Sequence, residues 1–184
     1  MIKNRTLYRA IITNTGKMKC IILLITLASC CSTFGQKNES VFVNLTNKEN
    51  WKITDNNYES NQHVILLAND KTYEHLSLTS SLGVKNSDLI KVMNSYYNDR
   101  KGRSKDTKLS LIEKDLNAKA PWIMYSIQNV TNEECNCTES QVWLLIQGDN
   151  CLHSCVMSIK NDLFTNEKKD EIIKIFKTAK IVYQ

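Results

Sequence analysis

The gaps between strand-length apolar runs constrain this chain more than any other feature. His63 to Ala68 (HVILLA) is bounded by Asn61 and by Asn69-Asp70, and the next run opens at Tyr73 and continues to Thr79. Gln141 to Gln147 (QVWLLIQ) runs into Gly148-Asp149-Asn150, a tight-turn signal, before Val156 to Ile159. A parallel neighbour needs a crossover of about a dozen residues or more, usually a helix. Gaps this short leave no room for one, so consecutive runs pair as antiparallel hairpins.

The other runs extend the pattern. Ser40 to Thr46 alternates, with Val41, Val43 and Leu45 on one face, and Trp51 to Thr54 continues after the turn signal Asn47-Lys48-Glu49-Asn50. Lys108 to Lys114 and Trp122 to Val130 read as strands separated by an Asn117 to Pro121 turn. Two segments change period. Behind Asn86-Ser87-Asp88, Leu89, Val92, Met93, Tyr96 and Tyr97 recur at helical spacing, which predicts a helix over about 86–98 ending in a polar loop, Asn98 to Thr107. Thr165 caps a second helix over about 166–180, with an apolar stripe of Ile172, Ile173, Phe176 and Ala179, Glu167 in its first turn and Lys174, Lys177 and Lys180 toward its end. Ile181-Val182-Tyr183 can add a short last strand. The class implied is α+β: a single domain over 36–184, mainly antiparallel sheet, packed by two helices.

Charge is unevenly placed. The chain holds 24 Lys+Arg and 19 Asp+Glu, and five of the cations (Lys3, Arg5, Arg9, Lys17, Lys19) lie in the first 35 residues, where there is no acid. The remainder is balanced at 24 − 5 = 19 against 19. A long basic footprint for nucleic acid is therefore missing. Residues 1–35 read instead as targeting sequence. Met18-Lys19-Cys20 is a basic start, with Met1 to Lys17 an extended leader or an overcalled beginning. Ile21 to Ala28 (IILLITLA) is an apolar run too short to span a bilayer, which takes about 20 residues. Two processing sites compete. Leu27-Ala28-Ser29-Cys30 resembles the lipobox of bacterial lipoproteins, in which Cys30 is lipidated and anchors the domain to the membrane. Cleavage after Thr33-Phe34-Gly35 would release a soluble exported protein.

Of seven cysteines, Cys135, Cys137, Cys151 and Cys155 lie in the mature part. An even number in an exported chain predicts disulfides. Their C-x-C and C-x₃-C spacing departs from the two-residue gaps of zinc ribbons. Geometry works against some pairings. Cys151 sits near the Gly148 turn, whereas Cys135 and Cys137 fall in a Thr131 to Ser140 loop at the far end of a six-residue strand, about 20 Å away. A bridge needs Cα atoms within about 7 Å.

Catalytic signatures are absent: there is no Gly-x-Ser-x-Gly, no His-Glu-x-x-His and no phosphate-binding glycine loop. His63, His75 and His153 are scattered and read as packing or surface residues, so neither a metal, nor a cofactor, nor a catalytic residue is assigned. His153 and Cys155, two apart in a strand, share a face with no orienting acid in sight. Arg100, Lys101, Arg103, Lys105 and Lys108 make the polar loop basic, a candidate contact for an acidic partner.

The order of elements, above all the long late hairpin Trp122–Ile159 followed by Glu167-Lys168-Lys169-Asp170-Glu171-Ile172-Ile173-Lys174-Ile175-Phe176 and a terminal strand, resembles the PsbP-like fold of photosystem extrinsic subunits and their bacterial relatives, over about residues 40–184. That resemblance implies a sheet with helices packed on it, used for interaction or assembly, with no fixed catalytic set to carry over. The expected function is an exported cell-envelope binding or assembly module without catalysis, meeting an unidentified envelope protein or acidic surface. The alternative is a thiol-based redox or metal-binding envelope protein that uses the four late cysteines.

Overall fold

The computed structural model describes residues 39–46, 48–104, 106–132 and 137–183, all within the unit Gly35–Gln184. Seven strands form one antiparallel sheet. The first hairpins are β2 (Trp51–Glu59), β3 (Gln62–Asn69) and β4 (Glu74–Leu82), and the later strands are β5 (Lys108–Asp115), β6 (Trp122–Asn132), β7 (Cys137–Gln147) and β8 (Cys151–Lys160). Their order is β2-β3-β4-β8-β7-β6-β5. A separate antiparallel pair joins β1 (Glu39–Phe42) to β9 (Lys180–Tyr183). Helix α1 (Leu89–Arg103) and helix α2 (Asn166–Phe176) complete the described elements, with 3₁₀ turns at Lys48–Asn50 and Asn161–Leu163. The expectation of an antiparallel α+β fold is met, with a sheet larger than a two-helix packing suggests.

Side chains alternate across a strand, and the register divides the sheet into two buried faces. On one, Ile123, Tyr125 and Ile127 of β6, Trp143 and Leu145 of β7 and Leu152 of β8 pack with Leu89 and Met93 of α1. On the other lie Leu76, Val142, Leu144, Cys155, Met157 and Ile159, all buried, facing the side where Ile172, Ile175 and Phe176 of α2 are buried. Lys168 of α2 reaches Glu74 of β4 at 2.7 Å, which ties that helix to the sheet. Asp88 starts α1 at Leu89, later than the expected start near 86, by accepting from the Ile90 and Lys91 N–H groups, and Thr165 starts α2 by accepting from Lys168 N–H, as expected from sequence.

Several boundaries differ from expectation. α1 runs on to Arg103, because its basic last turn suits the helix dipole and Asp99 pairs with Arg103 one turn on. α2 stops at Phe176, where Thr178 and Ala179 N–H donate to Ile175 and Phe176 carbonyls and the chain turns into β9. β1 is not continued by β2, since the two belong to different sheets. β8 begins at Cys151, directly after the turn, and much of the Thr131 to Ser140 segment is strand, as β6 pairs with β7 out to Asn132↔Cys137. β3 lies one strand inside the edge of the sheet.

Tyr125 shows a cost carried inside this core. Its ring is fully buried and stacked on Trp143, with centroids 5.8 Å apart, while its hydroxyl has no hydrogen-bond partner among the described residues. Burial holds the phenol far above its ordinary pKa. Tyr125→Phe keeps the ring and removes an unsatisfied donor, so chemical denaturation is expected to show unchanged stability or a gain of up to about 1 kcal/mol. A loss larger than that would mean the hydroxyl is bonded.

Candidate functional site

β8 places Cys151, His153 and Cys155 on the α2 side of the sheet. The β4–β8 register sets Ser80 opposite His153, and Ser80 Oγ lies 2.9 Å from His153 Nδ1. β1, held by β9, then brings Glu39 over the same point. Glu39 Oε1 accepts the Asn150 N–H at 2.8 Å, and Oε2 lies 3.6 Å from His153 Nε2. Both side chains are 0% exposed, and among the described residues neither Glu39 Oε2 nor His153 Nε2 has a hydrogen-bond partner. Cys151 joins them, so that one ligand atom from each of Glu39, Cys151 and His153 lies within 4.8 Å of the others.

The β7–β8 turn is shaped to this cluster. A Cβ at position 148 would run into Glu39 Oε2 and come within 3.2 Å of His153 Nε2, so any larger residue there would have to displace the Glu39 carboxylate. On the outer side, Gly148 helps line a cleft of about 310 Å³ with Trp122, Ile146, Ala179, Ile181 and Tyr183. One backbone turn therefore separates the cleft from the buried acid and imidazole.

Burial controls the protonation states. Desolvation brings His153 down to about 4, so the ring is neutral near pH 7. Cys151 is pushed up to about 11, first by desolvation and then by the Glu39 charge, against a lowering hydrogen bond from the Glu39 backbone. Cys155 is pushed up to about 12 by desolvation. Both thiols are thus held protonated and poorly nucleophilic.

The residues singled out from sequence are dispersed. Cys151 and Cys155 are free, buried thiols, which corrects the disulfide expectation for these two. They lie four residues apart in one extended strand, a span of about 13 Å, well beyond disulfide reach. Cys137 stands at the far end of β7 and is not one of these free thiols; Cys135, Cys30 and Lys105 lie outside the described residues. Arg100, Lys101 and Arg103 occupy the last turn of α1 and not a loop. Arg100 and Arg103 share Asp99, Arg100 also sits 5.9 Å from the Trp143 ring centre, and Lys101 lies 5.8 Å from that of Tyr97. Those contacts bind the cations to their own helix and its core. Lys108 is exposed at the start of β5. His63 is buried, stacked on Tyr58 with centroids 4.2 Å apart and 2.8 Å from Asn56, whereas His75 is exposed.

Sequence reasoning put His153 and Cys155 on one face of a strand but read the histidine as a packing or surface residue, and it missed Glu39 and Ser80. Neither carries a local signal, since Glu39 lies 111 residues from its hydrogen-bond partner Asn150 and Ser80 lies 73 from His153. The one legible hint was an acid opening a strand whose alternating partners are buried.

No protein-family model and no curated protein matches this sequence. The structure is similar to the solution structure of cyanobacterial PsbP (CyanoP) from Synechocystis sp. PCC 6803, at 12% identity over 85% of this chain and 99% of that one, with a TM-score of 0.49. The resemblance is one of fold. It is distant.

Proposed function

We propose that this chain is an exported cell-envelope module that works by binding a partner protein through an open half of its sheet. The observation that supports this is the face beside α1. That helix packs over β6, β7 and β8, while on the same face β3 and β4 present Val64, Leu66, Ser77, Thr79 and Ser81, all at least partly open to solvent, flanked by exposed His75, Gln62 and Asn57. Two aliphatic side chains set among a strip of hydroxyls suit a protein surface of mixed polarity, with both contact area and hydrogen-bonding groups available. The balanced charge of the chain after residue 35 agrees with a partner chosen by shape and hydrogen bonding rather than by field.

Export and anchoring rest on Ile21 to Ala28 and on Cys30. Among the described residues no helix is long and apolar enough to cross a membrane. A lipid on Cys30 would hold the module at the membrane surface, and a Cys30→Ser protein is then expected in the soluble fraction. The thiol-redox alternative has less support, because Cys151 and Cys155 are buried and held protonated.

A photo-crosslinking residue at Leu66, in the full chain in its own envelope, tests the binding face. It is expected to give one discrete protein adduct, which Thr79→Arg reduces about tenfold or more. The same probe at exposed Lys174 of α2 should give none. No adduct at position 66, or one indifferent to Thr79→Arg, overturns the reading.

A further inference from the structure

We propose that Glu39, Cys151 and His153 form a binding site for a divalent cation of the Zn²⁺ class, through carboxylate oxygen, thiolate sulfur and imidazole nitrogen, with a fourth position left for water or an exogenous ligand. The site is independent of the open sheet face and stands on its own geometry.

Distance is the first argument. Glu39 Oε2 and His153 Nε2 are 3.6 Å apart, beyond a sound hydrogen bond. Tetrahedral coordination with bonds of about 2.0–2.1 Å to nitrogen and oxygen sets two such ligands about 3.3–3.4 Å apart. The pair therefore already stands within a few tenths of an ångström of a coordination edge. The Cys151 sulfur belongs to the same cluster, as the three ligand atoms all lie within 4.8 Å of one another.

Unmet polarity is the second. Buried polar groups nearly always have partners, yet Glu39 Oε2 and His153 Nε2, each on a fully buried side chain, have none among the described residues and face each other. A cation held between the two atoms would give both of them a partner. A divalent cation bound by one carboxylate and one thiolate leaves a net charge of 2 − 1 − 1 = 0 in the core, which is the charge state such an environment tolerates best.

The donor set and its supports decide the class. Calcium and magnesium take oxygen ligands, whereas one sulfur, one nitrogen and one oxygen suit a borderline-soft ion that accepts three protein ligands. In the tautomer whose Nδ1–H donates to Ser80 Oγ, His153 offers its Nε2 lone pair to the metal, the arrangement that outer-shell partners usually impose. The Asn150 N–H on Oε1 leaves Oε2 directed at the imidazole. The absence of a Cβ at Gly148 keeps the space beside both atoms clear. Binding exchanges the thiol proton for the metal: the S–H bond of Cys151 breaks, a sulfur–metal bond forms and one proton goes to solvent. Affinity should therefore rise with pH.

The test uses the untagged full chain, Co²⁺ as a spectroscopic probe and Zn²⁺ as competitor. One equivalent of Co²⁺ is expected to give a thiolate-to-metal charge-transfer band with the visible bands of tetrahedral cobalt, bleached by Zn²⁺. Cys155→Ala keeps the band, Cys151→Ser loses it, and Ser80→Ala weakens binding about 10–100-fold. A folded wild type without the band, or a Cys151→Ser protein that retains it, overturns the proposal. Should Cys151→Ser fail to fold, Glu39→Gln preserves the side-chain shape and is expected to weaken Zn²⁺ binding at least tenfold; unchanged affinity there overturns it equally.

Discussion

Phe176→Ala is expected to lower the unfolding free energy by about 3–5 kcal/mol, the cost of removing a large buried aromatic ring and leaving part of its volume as a cavity. Phe176 is 1% exposed and closes the apolar stripe of α2, after Ile172 and Ile175. Its position multiplies the consequence. The chain turns directly from Phe176 into β9, where Thr178 accepts the Asn44 N–H at 2.8 Å and the strand pairs with β1. Loosening α2 should thus loosen β1, which carries Glu39. Urea denaturation followed by circular dichroism measures the effect. A loss below about 1 kcal/mol would show that α2 does not share the core, since only surface positions are so tolerant.

Acid is expected to destabilise the metal-free protein well above the pH at which most carboxylates titrate. His153 has a folded-state pKa of about 4 against an ordinary 6.5. Above pH 6.5 both folded and unfolded states carry it neutral, and stability is at its full value. Between 6.5 and 4 the unfolded chain takes up a proton that the folded chain refuses, so stability falls as pH falls, by about 1.4 kcal/mol per pH unit once inside the window. The sum approaches about 3 kcal/mol by pH 4. The groups facing the ring are the Glu39 carboxylate from β1, the Ser80 hydroxyl from β4 and the Cys151 thiol from β8. The thiol stays protonated throughout this range and takes no part. His63, also lowered by burial, acts in the same direction. Urea titrations with EDTA at pH 7 and pH 4.5 should differ by about 2–3 kcal/mol, and His153→Asn should flatten that difference. Equal stability at the two pH values would mean that the ring is protonated in the fold.

The hairpins, the cap of α2 and the shared face of His153 and Cys155 were legible in the chain itself. Each depends on signals acting over a few residues. Gly148-Asp149-Asn150 turns β7 into β8, Asp88 and Thr165 satisfy free N–H groups of the helices that follow them, and strand alternation assigns every second side chain to one face. The extent of α1 was partly legible, in the spacing of Asp99 and Arg103, but the contact of Arg100 with Trp143 was not. Tertiary structure alone decided that β4 joins β8, that β1 pairs with β9, and that Glu39 enters the core beside His153. An alternating run specifies that one face will be buried, yet many runs of similar pattern could cover it. Which one does so is settled by the joint burial of whole faces, Leu76 and Leu78 of β4 against Met157 and Cys155 of β8, between segments about 80 residues apart.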